Sequence, residues 1–302
     1  MNKIFSSIDI GTNTLTLLIA KIYKSKITSL YQLEHITSLG EGLSNNNLIK
    51  SNSIERCIKY LIKFKKKIKE YDVEIELCVA TSALRRAKNS PDVINQFNSI
   101  GIFPIIVSGT DEAKYIGNIV KYEFPNNINN TLVVDIGGGS TEFIYFNKSK
   151  IKLVESMNLG SVTLFEKCFS DPIIEKNILS SKNFILEKLN NSFIKNLDFD
   201  TIIGVGGTIA SLSAIYNKII PFNANKVHKS TIPINSLEFL SDELLNKTFL
   251  ERSLHPVLEL KRARVIPAGF LIFNQIMNYK KFNELLVCER GLRWGVIIDQ
   301  IN

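Results

Sequence analysis

A short polar turn between two apolar segments occurs twice in this chain, 126 residues apart. Residues 4–10 (IFSSIDI) precede the turn GTNT, and residues 15–22 (LTLLIAKI) follow it. Residues 131–136 (TLVVDI) and 142–147 (EFIYFN) repeat this arrangement around GGGST. Each pair of segments predicts two β-strands joined by a tight turn. The repeat therefore predicts two related domains, each opening with a strand–turn–strand hairpin.

The two turns have the composition of an anion-binding loop. Asp9–Thr14 (DIGTNT) aligns with Asp135–Ser140 (DIGGGS), with Asp, Ile and Gly identical. Glycines allow successive backbone N–H groups to converge on one anion, and Ser and Thr hydroxyls add donors. An Asp would repel a phosphate directly, so we expect a divalent cation or a water between them. An ordinary β-hairpin is the alternative for each turn. The candidate phosphate-binding residues are Asp9, Gly11, Thr12, Asn13, Thr14, Gly137, Gly138, Gly139, Ser140 and Thr141.

Length and composition agree with two globular domains. The chain has 302 residues, and a domain takes roughly 150. Hydrophobic residues make up 45% and charged residues 22%, which excludes disordered, collagen-like and low-complexity classes. The net charge of +8 favours an anionic partner, which this number alone leaves open between nucleic acid, a membrane and phosphate.

The cysteines and the N-terminus indicate a cytoplasmic protein. The four cysteines lie far apart without a CxxC pair or clustered histidines, which argues against a disulfide framework or a zinc site. Asp9 and Asn13 interrupt the N-terminal segment before the apolar core of a signal peptide forms. No apolar run approaches the ~20 residues of a membrane helix. We therefore expect no membrane partner.

A third glycine-rich turn, Gly204–Thr208 (GVGGT), lies between a short apolar segment and an apolar helix. It lacks the spacing of GxGxxG, so a dinucleotide fold is poorly supported. It is either a plain strand-to-helix turn or a helix N-terminus that binds phosphate. Gly207 and Thr208 are its candidate phosphate-binding residues.

A lysine-rich helix is predicted over residues 53–69. Apolar residues recur at helical spacing, and the other face is basic. The apolar set is Ile54, Cys57, Ile58, Leu61, Ile62 and Ile68, and the basic set is Lys59, Lys63, Lys66 and Lys67. The basic face is either a solvated surface or a surface that binds a polyanion.

Three further side chains are candidates for chemistry. Glu142 directly follows the second turn, so we expect it to share a cleft with Asp135. Glu112 lies in SGTDEA at a predicted helix start, where complementing the helix dipole is the alternative role. Arg85, in ATSALRR, offers a planar fork for phosphate oxygens, although an exposed helix residue is the alternative.

These segments together resemble the Ppx/GppA family of exopolyphosphatases and guanosine pentaphosphate phosphohydrolases. The resemblance extends over nearly the whole chain, and the order and spacing of its motifs make it specific. The motifs are SIDIGTNT (7–14), LGEGL (39–43), ATSALR (80–85), SGTDEA (108–113), VVDIGGGSTE (133–142), LGSVTL (159–164), GVGGTIASL (204–212), RARVIPAG (262–269) and ERGLRWGV (289–296).

The resemblance implies an α/β fold of two ribonuclease-H-like domains of the actin-like ATPase type, with the active site in the cleft between them. The expected N-terminal domain is 1–122, with 288–302 returning to it, and the C-terminal domain is 123–287. Glu112 matches the general base, and Arg85 matches an arginine that faces the phosphates. The acidic residues Asp135 and Glu142, with Asp9, match the site of Mg²⁺ or another divalent cation.

The activity implied is hydrolysis of the terminal phosphoanhydride of inorganic polyphosphate, of guanosine pentaphosphate, or of both, with release of orthophosphate. The second substrate would connect the protein to the stringent response. A homodimer is compatible with the family, and no specific nucleic acid is expected as a partner. Two alternatives remain: a non-catalytic sensor of polyphosphate or alarmone, and a small-molecule kinase of the same superfamily.

Four residues depart from the family pattern. Ser38 stands where an arginine often precedes LG, and Asp111 replaces the glutamate before the catalytic one. Arg264 stands where aspartate is frequent, and Lys229 where glycine follows VH. Ser38 removes one expected phosphate contact. The helical C-terminal domains of longer members are expected to be absent, which leaves the binding of very long polyphosphate open.

Overall fold

Two β-sheets flanked by helices form the fold in this computed structural model, which describes residues 2–301. The chain divides into two units. The first contains the residues up to 119 together with those from 292 onward, and the second contains residues 120–291. The boundaries expected from the sequence, 122/123 and 287/288, fall near these positions. That the two units are separate folding domains stays a prediction.

The first unit holds a five-stranded sheet. Its strands are β1 (Asn2–Ile10), β2 (Thr14–Tyr23), β3 (Lys26–Ile36), β4 (Ile75–Ala80) and β5 (Ile105–Ile106), in the order β3-β2-β1-β4-β5. Its helices are α1 (Leu43–Asn46), α2 (Ser51–Ile68), α3 (Ser82–Arg86), α4 (Ser90–Ser99), α5 (Gly109–Glu123), which continues past residue 119, and α13 (Leu292–Asp299).

The second unit holds a six-stranded sheet. Its strands are β6 (Thr131–Ile136), β7 (Thr141–Asn147), β8 (Lys150–Met157), β9 (Thr201–Val205), β10 (Thr231–Pro233) and β11 (Glu284–Cys288), in the order β10-β11-β9-β6-β7-β8. Its helices are α6 (Ser161–Cys168), α7 (Glu175–Asn190), a 3₁₀ helix (Phe193–Asn196), α8 (Gly206–Tyr216), α9 (Ala224–Val227), α10 (Ile234–Asn246), α11 (Phe249–Ser253) and α12 (Leu260–Lys280).

The predicted duplication is confirmed in strand order and register. In both units an antiparallel hairpin is followed by a third antiparallel strand, and a later strand pairs in parallel with the first strand. Asp9 of β1 pairs with Thr16 of β2, and Asp135 of β6 pairs with Glu142 of β7, so the offset of 126 holds on both strands. The two aspartates therefore occupy equivalent places at the ends of equivalent strands.

Helix α2 shows why the first unit buries one face of its sheet. Ile54, Cys57, Leu61, Phe64 and Ile68 recur every three or four residues and are buried in one apolar cluster with side chains of β1 and β2. The period of the helix turns these positions toward the sheet and the lysines away from it.

Ile58 and Ile62 were predicted to belong to the buried face of α2, and for Ile62 this is wrong. Ile58 is partly buried, but the side chain of Ile62 is 40% exposed. The residue lies on the side of the helix opposite Cys57, since five residues turn a helix by about 140°.

The C-terminal helix α13 belongs to the first unit and packs on β1 and β2. It buries Trp294, the single tryptophan of the sequence. Gly295 follows, and a Cβ atom there would overlap the carbonyl of Tyr115 in α5. The close approach of these two helices therefore requires glycine at position 295.

The second unit buries α12 at the centre of its core, with Phe270 and Phe273 fully enclosed. Gly204 in β9 lets this helix approach, because a Cβ there would lie 3.2 Å from the Phe273 ring. Among residues 2–301, no helix has the length and hydropathy needed to cross a bilayer.

Candidate functional site

The first turn presents two backbone amides that are not used by any acceptor in residues 2–301. The Gly11 amide donates to the carbonyl of Thr14 at 2.9 Å, which closes the turn. The carbonyls of Thr12 and Asn13 accept from Gly40 and Ser38 at 2.8 and 2.9 Å. Within residues 2–301 the amides of Thr12 and Asn13 have no hydrogen-bond acceptor. These N–H groups are available to an anion.

The second turn repeats this arrangement with different partners. The Gly137 amide donates to the carbonyl of Ser140 at 3.0 Å. The carbonyls of Gly137 and Gly138 accept from Ser161 and Val162, the first residues of α6, at 2.9 and 2.8 Å. The amides of Gly138 and Gly139 have no acceptor in the described part of the chain.

The backbone of α6 approaches the second turn so closely that side chains are excluded. A Cβ at Gly160 would lie 2.5 Å from the carbonyl carbon and oxygen of Gly138. The hydroxyl of Thr141, at the start of β7, also donates to the carbonyl of Leu159. Gly160 therefore has a packing role, and the phosphate role of Gly137, Gly138 and Gly139 stays a prediction.

Asp9 is the penultimate residue of β1, and one of its carboxylate oxygens, Oδ1, is buried and without a hydrogen-bond partner among the described residues. Burial, followed by the negative charge of Glu112, raises the pKa of Asp9 to about 7, and the nearby Arg293 acts in the opposite direction. Arg293 was not singled out from the sequence, although its motif ERGLRWGV was. A buried, unpartnered carboxylate is stabilised by a proton or a cation.

Glu112 lies in the first turn of α5 and its residue is only 8% exposed. Nη1 of Arg85 donates to Oε2 of Glu112 at 3.0 Å and to the carbonyl of Val107 at 2.9 Å. Burial raises the pKa of Glu112, and the attraction of Arg85 opposes this without cancelling it. The structure thus places the Arg85 guanidinium against the candidate base, while its predicted contact with phosphate remains a prediction.

The start of α5 is held independently of Glu112. The Asp111 amide donates to Oγ of Ser108 at 3.1 Å, so Ser108 caps the helix. The Ser108 hydroxyl donates to Asp111 in return at 2.7 Å, and Lys114 pairs with Asp111 at 3.2 Å. These contacts lower the pKa of Asp111. The departure at Asp111 therefore affects the helix cap and leaves the Glu112 contacts intact.

Asp135 and Glu142 are directly opposite each other on β6 and β7. Side chains in such a cross-strand pair lie on the same face of the sheet, and two like charges there repel each other. The Glu142 side chain is almost fully buried, and the Ser156 hydroxyl donates to its Oε1 at 2.7 Å. A divalent cation would relieve this repulsion, so the pair fits the predicted metal site.

A larger metal cluster is not present in the part of the chain that the structure describes. No group of three or more His, Cys, Asp or Glu side chains is arranged to hold an ion there. Among the described residues, the acidic pairs of interest are Asp9 with Glu112 and Asp135 with Glu142. Any cation would thus take its other ligands from water or substrate oxygens.

The third glycine-rich turn contacts Asp135. Gly206 begins α8 with φ of +86°, and a Cβ there would lie 2.6 Å from Oδ1 of Asp135. The hydroxyl of Thr208 donates to the carbonyl of Ile136 at 2.8 Å, so it links α8 to β6. Gly207 faces Arg262, whose Nη2 would lie 3.2 Å from an added Cβ.

Gly206 and Arg262 were missed as individual candidates, although the motifs GVGGTIASL and RARVIPAG contain them. Arg262 donates from Nη1 to Oγ of Ser211 at 3.1 Å, on the first turn of the helix beyond Gly207. It places a guanidinium beside the N-terminus of α8, where an anion is already favoured.

The sequence profile of the Ppx/GppA phosphatase family matches residues 18–302. This chain belongs to the Ppx/GppA family. It is 33% identical, over 99% of its length, to a bifunctional 3-dehydroquinate synthase/phosphatase of Fusobacterium nucleatum, and it spans 47% of that protein. The chain thus corresponds to about half of this longer relative.

Solved Ppx/GppA structures share the fold. The Aquifex aeolicus family member is 32% identical with a TM-score of 0.84, covering 100% of this chain and 98% of that one. A Cytophaga hutchinsonii exopolyphosphatase is 25% identical with a TM-score of 0.91, covering 99% of both chains. The expected fold, mixed α/β with two sheets of the actin-like ATPase type, is confirmed by this agreement.

The departures from the Ppx/GppA pattern have distinct structural settings. Lys229 has φ of +67°, a conformation that glycine adopts without strain, and its Nζ pairs with Glu123 at 3.2 Å. Ser38 also has a positive φ, +49°, and its Oγ lies 3.5 Å from Oδ1 of Asn13. Arg264 is exposed over the ring of Phe165.

Proposed function

We propose that this chain hydrolyses the terminal phosphoanhydride of inorganic polyphosphate or guanosine pentaphosphate and releases orthophosphate. The observation that carries the proposal is Glu112: a buried carboxylate at a helix start, paired with Arg85 and with a raised pKa. Membership in an exopolyphosphatase-like phosphatase family supports the reaction class. The choice between the two substrates rests on the resemblance alone.

Each turn would contribute backbone donors to the phosphate groups. Hydrogen bonds to nearby backbone carbonyls hold each turn in place. They fix the free amides of Thr12 and Asn13 in the first unit and those of Gly138 and Gly139 in the second. Fixed donors need no reorganisation as charge develops on the transferring phosphoryl group. Cleavage of a phosphoanhydride has a loose transition state, so positioning and charge neutralisation supply most of the rate enhancement.

Glu112 would orient and deprotonate the attacking water. Its raised pKa brings it closer to the operating pH, which makes it a stronger base than an exposed glutamate, while Arg85 keeps enough of it ionised. Arg85 also fixes the carboxylate by holding Oε2 and anchoring itself to the Val107 carbonyl. A positioned base of this kind contributes about 10²–10⁴ in rate.

Asp135 and Glu142 would hold a divalent cation, and the buried Oδ1 of Asp9 is the corresponding group of the first unit. Family members are in general divalent-metal-dependent phosphatases. When bound, Mg²⁺ would neutralise charge on phosphate oxygens. Glu142 is kept in place by the Ser156 hydroxyl, and Gly206 leaves room for the carboxylate of Asp135.

Orthophosphate release from long-chain polyphosphate and from guanosine pentaphosphate, with Mg²⁺ present, tests the proposal. Glu112→Gln should lower kcat by about 10²–10⁴ with little change in KM. Asp111→Asn, the adjacent acid on the same helix, is the matched control and should retain more than about a third of the activity, because an exposed pair with Lys114 contributes little.

Equal release by wild type and Glu112→Gln would remove Glu112 from this role. Tight substrate binding without turnover would favour the sensor, and formation of ADP with an acceptor would favour the kinase. The ratio of the two hydrolysis rates would identify the substrate. The cleft location of the site, the cytoplasmic location and the homodimer stay predictions.

A further inference from the structure

The outer face of α2 carries three lysines that no acidic group neutralises. Lys59, Lys63 and Lys66 are exposed and follow one another by four and three residues, so they form one line along the helix. We call these three residues the lysine stripe. None of them makes an ion pair with a described residue. Three like charges at this spacing repel one another, and a bound polyanion would relieve that repulsion.

The other lysines of the helix have structural partners, which sets the stripe apart. Nζ of Lys65 donates to the carbonyl of Ile100 at 2.9 Å. Lys67 pairs with Glu70 and lies over the ring of Tyr31. The lysines of α2 therefore divide into those that fix the helix in the unit and those that face solvent.

The stripe begins near the first turn. Nε of Arg56 donates to the carbonyl of Thr37 at 2.7 Å, and the next residue, Ser38, donates its amide to the carbonyl of Asn13 at 2.9 Å. The N-terminal part of α2 is thus joined to the turn through two hydrogen bonds. The parallel strands β1 and β4 both end on the side of the sheet where the turn lies. Helix α2 leads into the start of β4, so it runs from the turn toward the opposite end of the sheet.

The stripe provides cations along a path of about 10 Å, since Lys59 and Lys66 are seven residues apart at ~1.5 Å per residue. Their spacing of four and three residues keeps all three on one side of the helix. Arg56, three residues before Lys59, extends this line toward the first turn, and its guanidinium also pairs with Glu41 at 3.8 Å. Near the middle, Lys63 lies 5.1 Å from the ring centre of Tyr60, which itself stacks on His35. The contact with the stacked Tyr60 ring restrains the Lys63 side chain, so this side chain loses less conformational entropy when an anion binds.

We infer that the lysine stripe binds the distal phosphates of a long polyphosphate chain whose terminal phosphate occupies the first turn. This inference rests on the proposed hydrolase function and adds to it a second binding surface on the first unit. A linear chain with one negative charge per repeat matches a line of cations better than a compact anion does. The consequence is a preference for long chains, because tripolyphosphate held at the turn has too few phosphates to cover α2.

The test is a triple variant, Lys59→Gln, Lys63→Gln and Lys66→Gln, compared with a matched triple variant of the second unit. Glutamine and lysine have similar helix propensities, so α2 should remain folded. The control variant changes the exposed Lys150, Lys152 and Lys176 to glutamine and alters the net charge equally. Steady-state orthophosphate release is measured with long-chain polyphosphate and with tripolyphosphate, at several salt concentrations.

The stripe variant should raise KM for long-chain polyphosphate about tenfold at low salt, with kcat unchanged. The slope of log KM against log salt should become shallower by about two. Turnover of tripolyphosphate should not change, and neither should either substrate in the control variant. An unchanged KM for the long chain, or an equal loss in the control variant, would overturn the inference and leave a solvated helix face.

Binding of fluorescently labelled long-chain polyphosphate, followed by anisotropy, separates this inference from the proposed function. If no polyphosphate is hydrolysed, the proposed function fails, but a weaker affinity in the stripe variant alone still supports the surface. Single-stranded DNA is the comparison ligand. Loss of DNA binding in the stripe variant, with polyphosphate binding unchanged, would assign the stripe to nucleic acid and overturn the inference.

Discussion

The turns at Gly11–Thr14 and Gly137–Ser140 close with the same backbone hydrogen bond, but the acidic groups beside them differ. Across the first turn, Asp9 is opposite Thr16, whose neighbour on the third strand is Glu34. Across the second turn, Asp135 is opposite Glu142, whose neighbour on the third strand is Ser156. We call each such set of three neighbouring side chains a row. The row is acid–hydroxyl–acid in the first unit and acid–acid–hydroxyl in the second.

Under the proposed function, this difference gives the two duplicated hairpins different tasks. Adjacent carboxylates, as in the second unit, suit a divalent cation, while the first unit places its second close carboxylate, Glu112, on a helix start beside Arg85. The backbone of the turn, and with it the free amides, is what both copies keep. Under the proposed function, two copies of one phosphate-binding turn acquire a metal site and a base through single side chains in their neighbouring elements.

Among changes in these two rows, the largest effect is expected from replacing Glu142. Glu142→Gln should lower kcat/KM about 10²–10³-fold and raise the Mg²⁺ concentration needed for half-maximal activity, because it removes one of two adjacent carboxylates. Glu34→Gln should cost less than about tenfold, since its neighbour is a hydroxyl. Orthophosphate release over a Mg²⁺ titration measures both. Similar losses in the two variants would break the comparison.

Gly206→Ala tests the space around the aspartate of the second turn. The added Cβ would lie 2.6 Å from Oδ1 of Asp135, at φ of +86°, so we expect a loss of about 2–3 kcal/mol of stability together with most activity. Gly207→Ala is the control. Its Cβ meets only the end of the flexible Arg262 side chain at 3.2 Å, and it should lose less than about 1 kcal/mol. Chemical denaturation with the activity assay distinguishes them, and equal losses would contradict this account.

Asp9→Asn should change the pH dependence of stability in the absence of divalent cations. Because the pKa of Asp9 is raised from 3.8 to about 7 in the folded protein, its contribution is fully present below pH 3.8 and is lost as the pH rises through about 7. The wild type should therefore lose about 4 kcal/mol relative to Asp9→Asn over that range.

Urea denaturation at a series of pH values, with a chelator present, measures this difference between wild type and Asp9→Asn. Parallel stability curves for the two proteins would show that burial does not raise the pKa of Asp9. Adding Mg²⁺ should reduce the difference if a cation binds this carboxylate, because it favours the charged form.

The smallest effect is expected from adding a cation to the first turn. Ser38→Arg restores the residue frequent in the family, next to Asn13, and should lower KM for polyphosphate about threefold through an exposed charge contact. Ser25→Arg is the control, since Ser25 also has a positive φ, +61°, but lies at the far end of the β2–β3 hairpin. Equal changes in both variants would indicate a general effect of charge.

The sequence predicted the hairpins well because their information is local. Apolar strands bounded by polar turns placed β6 at its observed residues, and placed the start of β1 within two residues. The cross-strand position of Glu142 followed from its place directly after the turn.

The third strand along the chain in each unit, β3 or β8, was not predicted. This strand supplies the last side chain of each row, Glu34 or Ser156. Strands β3 and β8 are half-exposed, whereas their neighbours β2 and β7 are almost continuously buried, so β3 and β8 lack the unbroken apolar run that located the other two strands. The pairing of Arg85 with Glu112 spans 27 residues and depends on how α3 and α5 meet. Such contacts follow from tertiary packing, which local periodicity does not encode.

The burial of Trp294 gives this protein an internal spectroscopic reporter for one unit alone. As the single tryptophan of the sequence, enclosed in the first unit, it makes intrinsic fluorescence sensitive to the packing of α13. Far-ultraviolet circular dichroism records the helices and strands of both units. Coincident melting curves by the two methods would show one cooperative transition, and separate curves would show that the duplicated halves lose their structure independently.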